Sequence, residues 1–294
     1  MGWSTPWPGA VLDRRLFGAQ QFAGVDYLQP KGDPGLFGPD SMAWRVHDNP
    51  VSLAVGGIAA VILELAEPRV RTGVWEHSSF RADPLSRMRR TGEATMVTTY
   101  GPAAAARARI AAVTRMHGRV SGDTPEGAAY RATDPDLLAW VHVTAVFGFL
   151  AAYVRFVDPG VGPADQDRYY AESVPIGRAF GAEALPRTVA EASAFLERWR
   201  PRLAPHPIIT EFLGIVCAAS PFGVAGRVAQ PLLVEAALSI LPPWAEGELN
   251  LPVRRFRRAA ALPAVGAMAA LADKAPSAIL RQAYERVGRP FPRG

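Results

Sequence analysis

Signals for helix starts recur along this chain, and they constrain its fold more than any other feature of the sequence. Proline follows an acid or an amide at Asn49-Pro50, Asp83-Pro84 and Asp134-Pro135, and each pair precedes a long segment that contains no further proline. An acid or amide side chain caps free backbone N–H groups, and proline suits the first helical position. Alternating runs of β-branched residues, which would indicate strands, cover only a few positions. The sequence therefore predicts an all-α fold.

The predicted helices fill the chain after its first 50 residues. We expect helices over residues 51–66, 84–100, 102–120, 135–157, 163–180, 188–200, 208–219, 224–241, 251–273 and 276–287. The N-terminal part is rich in Gly, Pro, Asp and aromatic residues, which is typical of loops. We therefore expect a loop-rich arm over residues 1–40 and a single large helical domain over residues 41–294. In an alternative division, residues 202–294 form a separate helical subdomain.

The composition agrees with a large core and excludes several kinds of site. Of the 294 residues, 49% are apolar and 20% are charged, which excludes a mostly disordered chain. The single cysteine, Cys217, excludes a disulfide framework, a zinc site built from cysteines and a cysteine-ligated iron–sulfur cluster. The N-terminal residues lack the apolar stretch of a secretory signal. We therefore expect a cytoplasmic protein, and the sequence leaves peripheral membrane contact open.

The positive charge does not indicate a nucleic-acid partner. The net charge is +5, and all of the 32 basic residues except Lys31 and Lys274 are arginines. They are scattered along the helices, whereas a nucleic-acid binder concentrates its charge on one stripe. This distribution is explained if the aliphatic parts of the arginine side chains cover the apolar surfaces of helices. We therefore expect no nucleic-acid binding.

Two of the five histidines lie on predicted helices and are candidates for the interior. His117 follows Ile110 and Val113 along one face, which directs its imidazole towards the interior. A buried imidazole needs a hydrogen-bond partner or a metal. On spacing alone, a histidine that is hydrogen-bonded in the core is favoured over a ligand, and the same holds for His142. His47 and His206 lie in proline-rich loops and are expected at the surface.

Two further groups of polar residues precede and begin the helix 84–100. Arg87, Arg90 and Thr91 are spaced so that they share one side of this helix. Two guanidinium groups beside a hydroxyl suit carboxylate or phosphate binding, although a solvated basic face explains the spacing as well. Glu76 and His77 lie in a short segment between two helices, which can turn either side chain inward.

Four motifs in order resemble the catalytic domain of the latex clearing protein (rubber oxygenase) and MpaB-like oxygenase family. They are WEHSSFRADPLSRMRRT at residues 75–91, RMHGRV at 115–120, YRATDPDLLAWVH at 130–142 and DRYYAE at 167–172. Each motif alone is weakly specific for the family, but the four motifs in this order and at this spacing are considerably more specific. The resemblance is closest over residues 40–200.

The resemblance implies an all-α, globin-like core around a non-covalent b-type haem. It implies that His117 is the proximal ligand of the haem iron. It also implies that Arg87 and Thr91 lie near the haem, where Arg87 pairs with a propionate. Arg90 stands where rubber oxygenase has a lysine, so the charge is kept but a titratable ammonium is lost.

The resemblance also implies the catalytic residues and the activity. Glu76 matches the distal acid of rubber oxygenase, His77 is adjacent to it, and His142 is a pocket residue or an alternative ligand. We therefore expect a haem-dependent oxygenase or oxidase that activates dioxygen trans to His117 and acts on a small or lipid-like substrate. Two alternatives stay open: a non-catalytic protein that binds haem or an apolar ligand, and a protein without metal in which His117 is hydrogen-bonded in the core. The oligomeric state is not predicted.

Overall fold

The computed structural model describes residues 24–219, 224–252 and 254–292. The predicted all-α fold is confirmed within these ranges. The helices are α1 (Met42–Val46), α2 (Pro50–Ala66), α3 (Pro68–His77), α4 (Pro84–Tyr100), α5 (Ala103–His117), α6 (Pro135–Phe156), α7 (Pro163–Phe180), α8 (Val189–Trp199), α9 (Pro207–Ala218), α10 (Val224–Ser239), α11 (Ala245–Glu248), α12 (Arg255–Asp273) and α13 (Ala278–Arg286), with a 3₁₀ turn at Arg200–Arg202. Strands β1 (Ser121–Asp123) and β2 (Ala129–Arg131) form an antiparallel hairpin. Most of the predicted N-terminal arm, residues 1–23, lies outside the described residues.

The predicted capping residues begin the helices as expected. The Asn49 side chain accepts hydrogen bonds from the backbone N–H groups of Val51 and Ser52 at the start of α2. Asp83 accepts one from Ser86 at the start of α4. Each cap satisfies donors that have no partner inside the helix, which explains why the helix starts were predicted closely.

Three local features differ from the prediction. Residues 68–77, for which no helix was predicted, form α3, because the Glu67 side chain accepts a hydrogen bond from the backbone N–H of Val70 at its start. The helix predicted to reach residue 120 ends at His117, where Gly118 follows. The chain then enters the β1–β2 hairpin, in which Gly122 pairs with Tyr130. Strands of three residues are too short to show an alternating pattern in the sequence.

The centre of the fold is the close packing of α2 against α6. The two backbones approach at Gly56 and Gly148, where a Cβ added at Gly56 would lie 2.6 Å from the Gly148 carbonyl oxygen. Backbone atoms at this distance cannot move aside as a flexible side chain can. The glycines therefore permit an interhelical contact that larger residues would prevent.

Substitution of Gly56 tests this contact. Gly56→Ala is expected to destabilise the protein by about 2 kcal/mol, because the helices must separate to admit the methyl group. Gly57→Ala is the matched control, since its Cβ would lie 3.9 Å from a carbon of the Phe149 ring, an ordinary contact. Urea unfolding measures both variants. Equal stabilities would contradict the proposed close packing, since alanine at position 57 is expected to be neutral or stabilising.

One of the three clusters of buried hydrophobic side chains among the described residues joins early and late helices of the chain. This cluster includes Leu65 on α2, Leu213 on α9 and Val265 on α12. Residues after 202 thus pack into the same core as the first helices, which favours a single domain over a separate subdomain at 202–294. Among the described residues, α6 is long and apolar enough to cross a membrane, and α2 with α3 pass the same test as a pair bent by 110°. More than half of the apolar window of α6 is buried within the protein, as in a core helix.

The expectation that His47 lies at the surface is wrong. Its side chain is 8% exposed and bonds through Nδ1 to Thr99 Oγ1 at 2.8 Å and through Nε2 to the Tyr169 hydroxyl at 2.7 Å. Burial lowers the pKa of His47 to about 3. The position of His47 at the end of α1, between α4 and α7, could not be read from the local proline-rich sequence.

The buried His47 predicts loss of stability in acid. Between pH 6.5 and about pH 3 the unfolded state holds a proton that the folded state lacks. The stabilising effect of the neutral imidazole is therefore complete above about pH 6.5 and is lost as the pH falls. We expect the variant His47→Gln to be less stable than the wild type at pH 7. Below pH 6 its unfolding free energy should depend less on pH, with a slope smaller by about 1.4 kcal/mol per pH unit. An unchanged slope would contradict the assignment.

Candidate functional site

His117 is the last residue of α5, and its side chain is half-buried. In α5 only Ala106 and Ile110 are buried, and the residues after Ile110, including Val113, are partly or fully exposed. The helix packs mainly against α4 and α7, without close packing against α2 or α6. From this open packing we infer a cleft between α2, α4 and α5, with the half-buried His117 at its α5 side.

Arg87 on α4 lies near residues of both α2 and α5. Its guanidinium interacts electrostatically with Glu64 on α2 and with His117 on α5. It also donates a hydrogen bond to the hydroxyl of Thr91, one turn further along α4. Burial lowers the pKa of Arg87, which still leaves it charged at neutral pH. Arg87 thus links the predicted ligand, His117, with an acid that the sequence analysis did not select.

Glu64 is that acid, and it lies near the end of the core helix α2. Burial raises its pKa to about 7, although Arg87 and a hydrogen bond with Thr144 on α6 act in the opposite direction. The side chain nevertheless keeps partial solvent access, which indicates that it lines the cleft. A carboxyl group with a pKa near 7 can both accept and donate a proton at neutral pH.

A signal for Glu64 was present in the sequence. It is the only charged residue between Val51 and Ala66, in a segment that forms a core helix. An isolated acid on an apolar helix is rarely buried without a partner or a function. Spacing rules do not connect Glu64 with Arg87, because Arg87 lies on another helix and 23 positions away in the sequence.

His117 has the chemical state that an iron ligand requires. Burial, followed by the charge of Arg87, lowers its pKa, so the imidazole is neutral at physiological pH. No hydrogen bond to either ring nitrogen is formed by the described residues. A neutral imidazole with a free nitrogen facing a cleft is a normal haem ligand.

Unsatisfied polar atoms also occur on the helices that carry Arg87 and His117. The hydroxyl of Thr114, one turn before His117, and Nε of Arg89 are buried without a hydrogen-bond partner among the described residues. Buried polar atoms are nearly always paired in native proteins. The donor set of this region, an imidazole with guanidinium and hydroxyl groups, suits a ligand that bears a metal and carboxylates.

Arg90 and Thr91 lie at the open side of the cleft. Both side chains are exposed. Nη2 of Arg90 donates to Oγ of Ser79 at 2.6 Å, in the loop that precedes α4. The structure therefore brings Thr91 to Arg87, but directs Arg90 towards the loop instead.

Glu76 and His77 lie at the end of α3, outside the group formed by Glu64, Arg87 and His117. Both are exposed. The Tyr130 hydroxyl on β2 is 3.1 Å from Nε2 of His77 and 3.4 Å from Oε2 of Glu76. Their hydrogen-bonded partner is thus a tyrosine of the hairpin.

His142 and Thr144 lie on the same helix, α6, but contact different neighbours. Nε2 of His142 is 3.4 Å from Oγ of Ser173 on α7, and a Cβ added at Gly177 of α7 would lie 2.9 Å from the same nitrogen. Burial lowers the pKa of His142 to about 4. Two residues along a helix turn about 200°, so His142 projects away from Thr144 and from the Glu64 carboxyl group that Thr144 contacts.

Comparison with known proteins gives one match. A family model described as ER-bound oxygenase mpaB/B'/Rubber oxygenase, catalytic domain, matches residues 44–272, which is more than half of the chain. No curated protein and no solved structure matches significantly. The matched range contains all the candidate residues and extends well beyond residue 200, where the resemblance in the sequence motifs became loose.

Proposed function

Since the chain belongs to the mpaB and rubber oxygenase catalytic-domain family, we propose that it is a haem-dependent oxygenase that uses the cleft between α2, α4 and α5. His117 is the proposed ligand of a b-type haem iron. Members of this family are oxygenases, and an oxygenase in general takes dioxygen and a small organic molecule as its substrates. The haem and the ligand assignment rest on the residues of the cleft.

The carrying observation is the state of His117. Its imidazole is half-buried, neutral at physiological pH and without a hydrogen-bond partner among the described residues. A histidine that served only the core would be expected to have found a partner, as His47 and His142 have. Arg87 beside it provides the positive charge that a haem propionate requires, and Thr91 holds the Arg87 guanidinium in place.

We assign the proton-transfer role to Glu64 and no longer to Glu76. Glu64 interacts with Arg87, as His117 does, and has a pKa of about 7. Glu76 is exposed and bonded by Tyr130. In the proposed mechanism the haem supplies the activation of dioxygen. The carboxylate of Glu64 would take up a proton released during turnover and return it to the product, so that no net proton is gained, and Thr144 and Arg87 keep this carboxylate in position.

The walls of the cleft favour an apolar substrate. Val61 on α2 lies one turn before Glu64, and Val113 on α5 lies one turn before His117. Both are partly exposed, and their positions on the helices place them on the same side as the polar residue that follows. We therefore propose a lipid-like substrate whose reacting carbon lies at Glu64 and whose apolar part contacts these valines.

Expression with a haem precursor tests the proposal. We expect purified protein to show a Soret band and to consume dioxygen when lipid-like alkenes are supplied. The absence of a Soret band after haem supplementation would contradict the proposal and support a metal-free pocket. A Soret band without dioxygen consumption across a broad substrate panel would instead indicate a non-catalytic haem-binding protein.

A further inference from the structure

Large apolar side chains on the surface are concentrated on one pair of packed helices. Among the described residues, four large hydrophobic side chains are exposed, and three of them lie on α10 and α12: Val228 (66%), Phe256 (95%) and Leu271 (70%). Helices α10 and α12 pack against each other. An apolar surface that is left open in the folded chain indicates an interaction site.

The exposed side of α12 is apolar along its whole length. The exposed residues of this side are Phe256, Ala259, Ala260, Pro263, Ala267, Ala270 and Leu271. At 100° per residue, all of them lie within about 60° of Phe256 around the helix. The face spans about 22 Å from Phe256 to Leu271 at 1.5 Å per residue. A surface helix normally carries polar residues on its outer face, so the pattern of α12 is reversed.

Arginines without acidic partners surround the N-terminal end of this face. Arg255 and Arg257 lie about 100° to either side of Phe256, and Arg254 precedes the helix. All three are exposed and have no salt bridge with the described residues. Arg258, by contrast, is turned inward and paired with Glu246 on α11. The outward arginines thus remain available to an anionic partner.

The position of these arginines is unfavourable for the helix itself. Positive charges near a helix N-terminus oppose the helix dipole, and the first turn of α12 contains no acidic residue. Phosphate groups of a lipid surface would offset this repulsion. An apolar helix face bordered by arginines is also the arrangement of helices that lie in the interface of a bilayer.

We propose that the outer face of α12 docks on an anionic membrane surface. Phe256 and Leu271 enter the boundary between headgroups and acyl chains, while Arg254, Arg255 and Arg257 contact lipid phosphates. Docking through this face is independent of the chemistry of the cleft, because none of the cleft residues lies on α12. An oxygenase that is held in this way would meet lipid-like substrates where they are concentrated.

Vesicle co-sedimentation of the full chain tests the docking surface. We expect binding to phosphatidylcholine vesicles that contain phosphatidylserine, and much weaker binding to phosphatidylcholine alone. Phe256→Ser is expected to weaken binding about tenfold. The double variant Arg255→Gln/Arg257→Gln is expected to weaken it roughly 25-fold, about fivefold for each arginine.

A matched pair of arginines provides the control. Arg178 and Arg187 are exposed and lie outside α12, so Arg178→Gln/Arg187→Gln changes the net charge equally and is expected to reduce binding far less. Equal losses in the two double variants would show that only net charge matters and would overturn the proposal. So would a wild-type chain that does not bind anionic vesicles, or a Phe256→Ser variant that changes only self-association on size-exclusion chromatography.

Discussion

Substitution of His117 by alanine is expected to abolish the Soret band of the purified protein at the haem concentrations that saturate the wild type. The iron loses its protein ligand, so we expect haem affinity to fall on the order of 100-fold or more, since loss of an outer-shell partner alone can cost this much. Dioxygen consumption should fall to background. Titration with haem, followed by absorbance, measures the affinity.

His142→Ala is the matched control for this variant. It also removes a half-buried, neutral imidazole, but one that contacts Ser173 and packs at Gly177 on α7. We expect the Soret band to remain. If the band persists in His117→Ala and disappears in His142→Ala, the ligand is His142, which was the alternative from the sequence. Circular dichroism of both variants distinguishes loss of the ligand from loss of the fold.

Glu64→Gln is expected to reduce turnover by about 10²- to 10⁴-fold while haem binding is kept. The amide matches the carboxyl group in size but cannot take up the proton released during turnover. In the wild type the carboxylate is the active form, so kcat should rise with pH through about pH 7, the pKa of Glu64. The variant should lose this dependence on pH. The pH profile of kcat separates a proton-transfer role from a structural one. If Glu64 had only a structural role, the variant would keep the midpoint of the wild-type profile.

Comparison with Glu76→Gln decides between the two acids. Glu76 was selected by the motif order, whereas Glu64 was found from its place in the cleft. If Glu76→Gln loses turnover and Glu64→Gln keeps the pH dependence of the wild type, the assignment from the sequence is right and the role given to Glu64 is wrong. Both variants should be compared at equal haem occupancy.

Features that depend on local chemistry could be predicted from the sequence. The caps at Asn49 and Asp83 and the ends of α7 at Pro163 and Phe180 required only neighbouring residues. Helical periodicity grouped His117 with Ile110 and Val113, but of the three only Ile110 is buried, and His117 is half-buried. The family was recognised from motif order, and the family match confirmed it.

Features that depend on contacts between distant helices could not be predicted in this way. Glu64 is functional in our account because α4 brings Arg87 next to it, and no spacing rule connects the two positions. His47 lies in a proline-rich segment, which favours the surface, but α4 and α7 enclose it and supply both hydrogen-bond partners. Glu76 and His77 occupy the expected motif, yet they end α3, where strand β2 brings the Tyr130 hydroxyl to both side chains.

An experimental structure of the chain expressed with a haem precursor tests the central claim most directly. The account predicts an imidazole nitrogen of His117 bonded to the haem iron, with Arg87 at a propionate and Glu64 lining the same cavity. A haem ligated by another residue, or a His117 that is hydrogen-bonded to a neighbouring side chain with no cofactor beside it, would contradict the account.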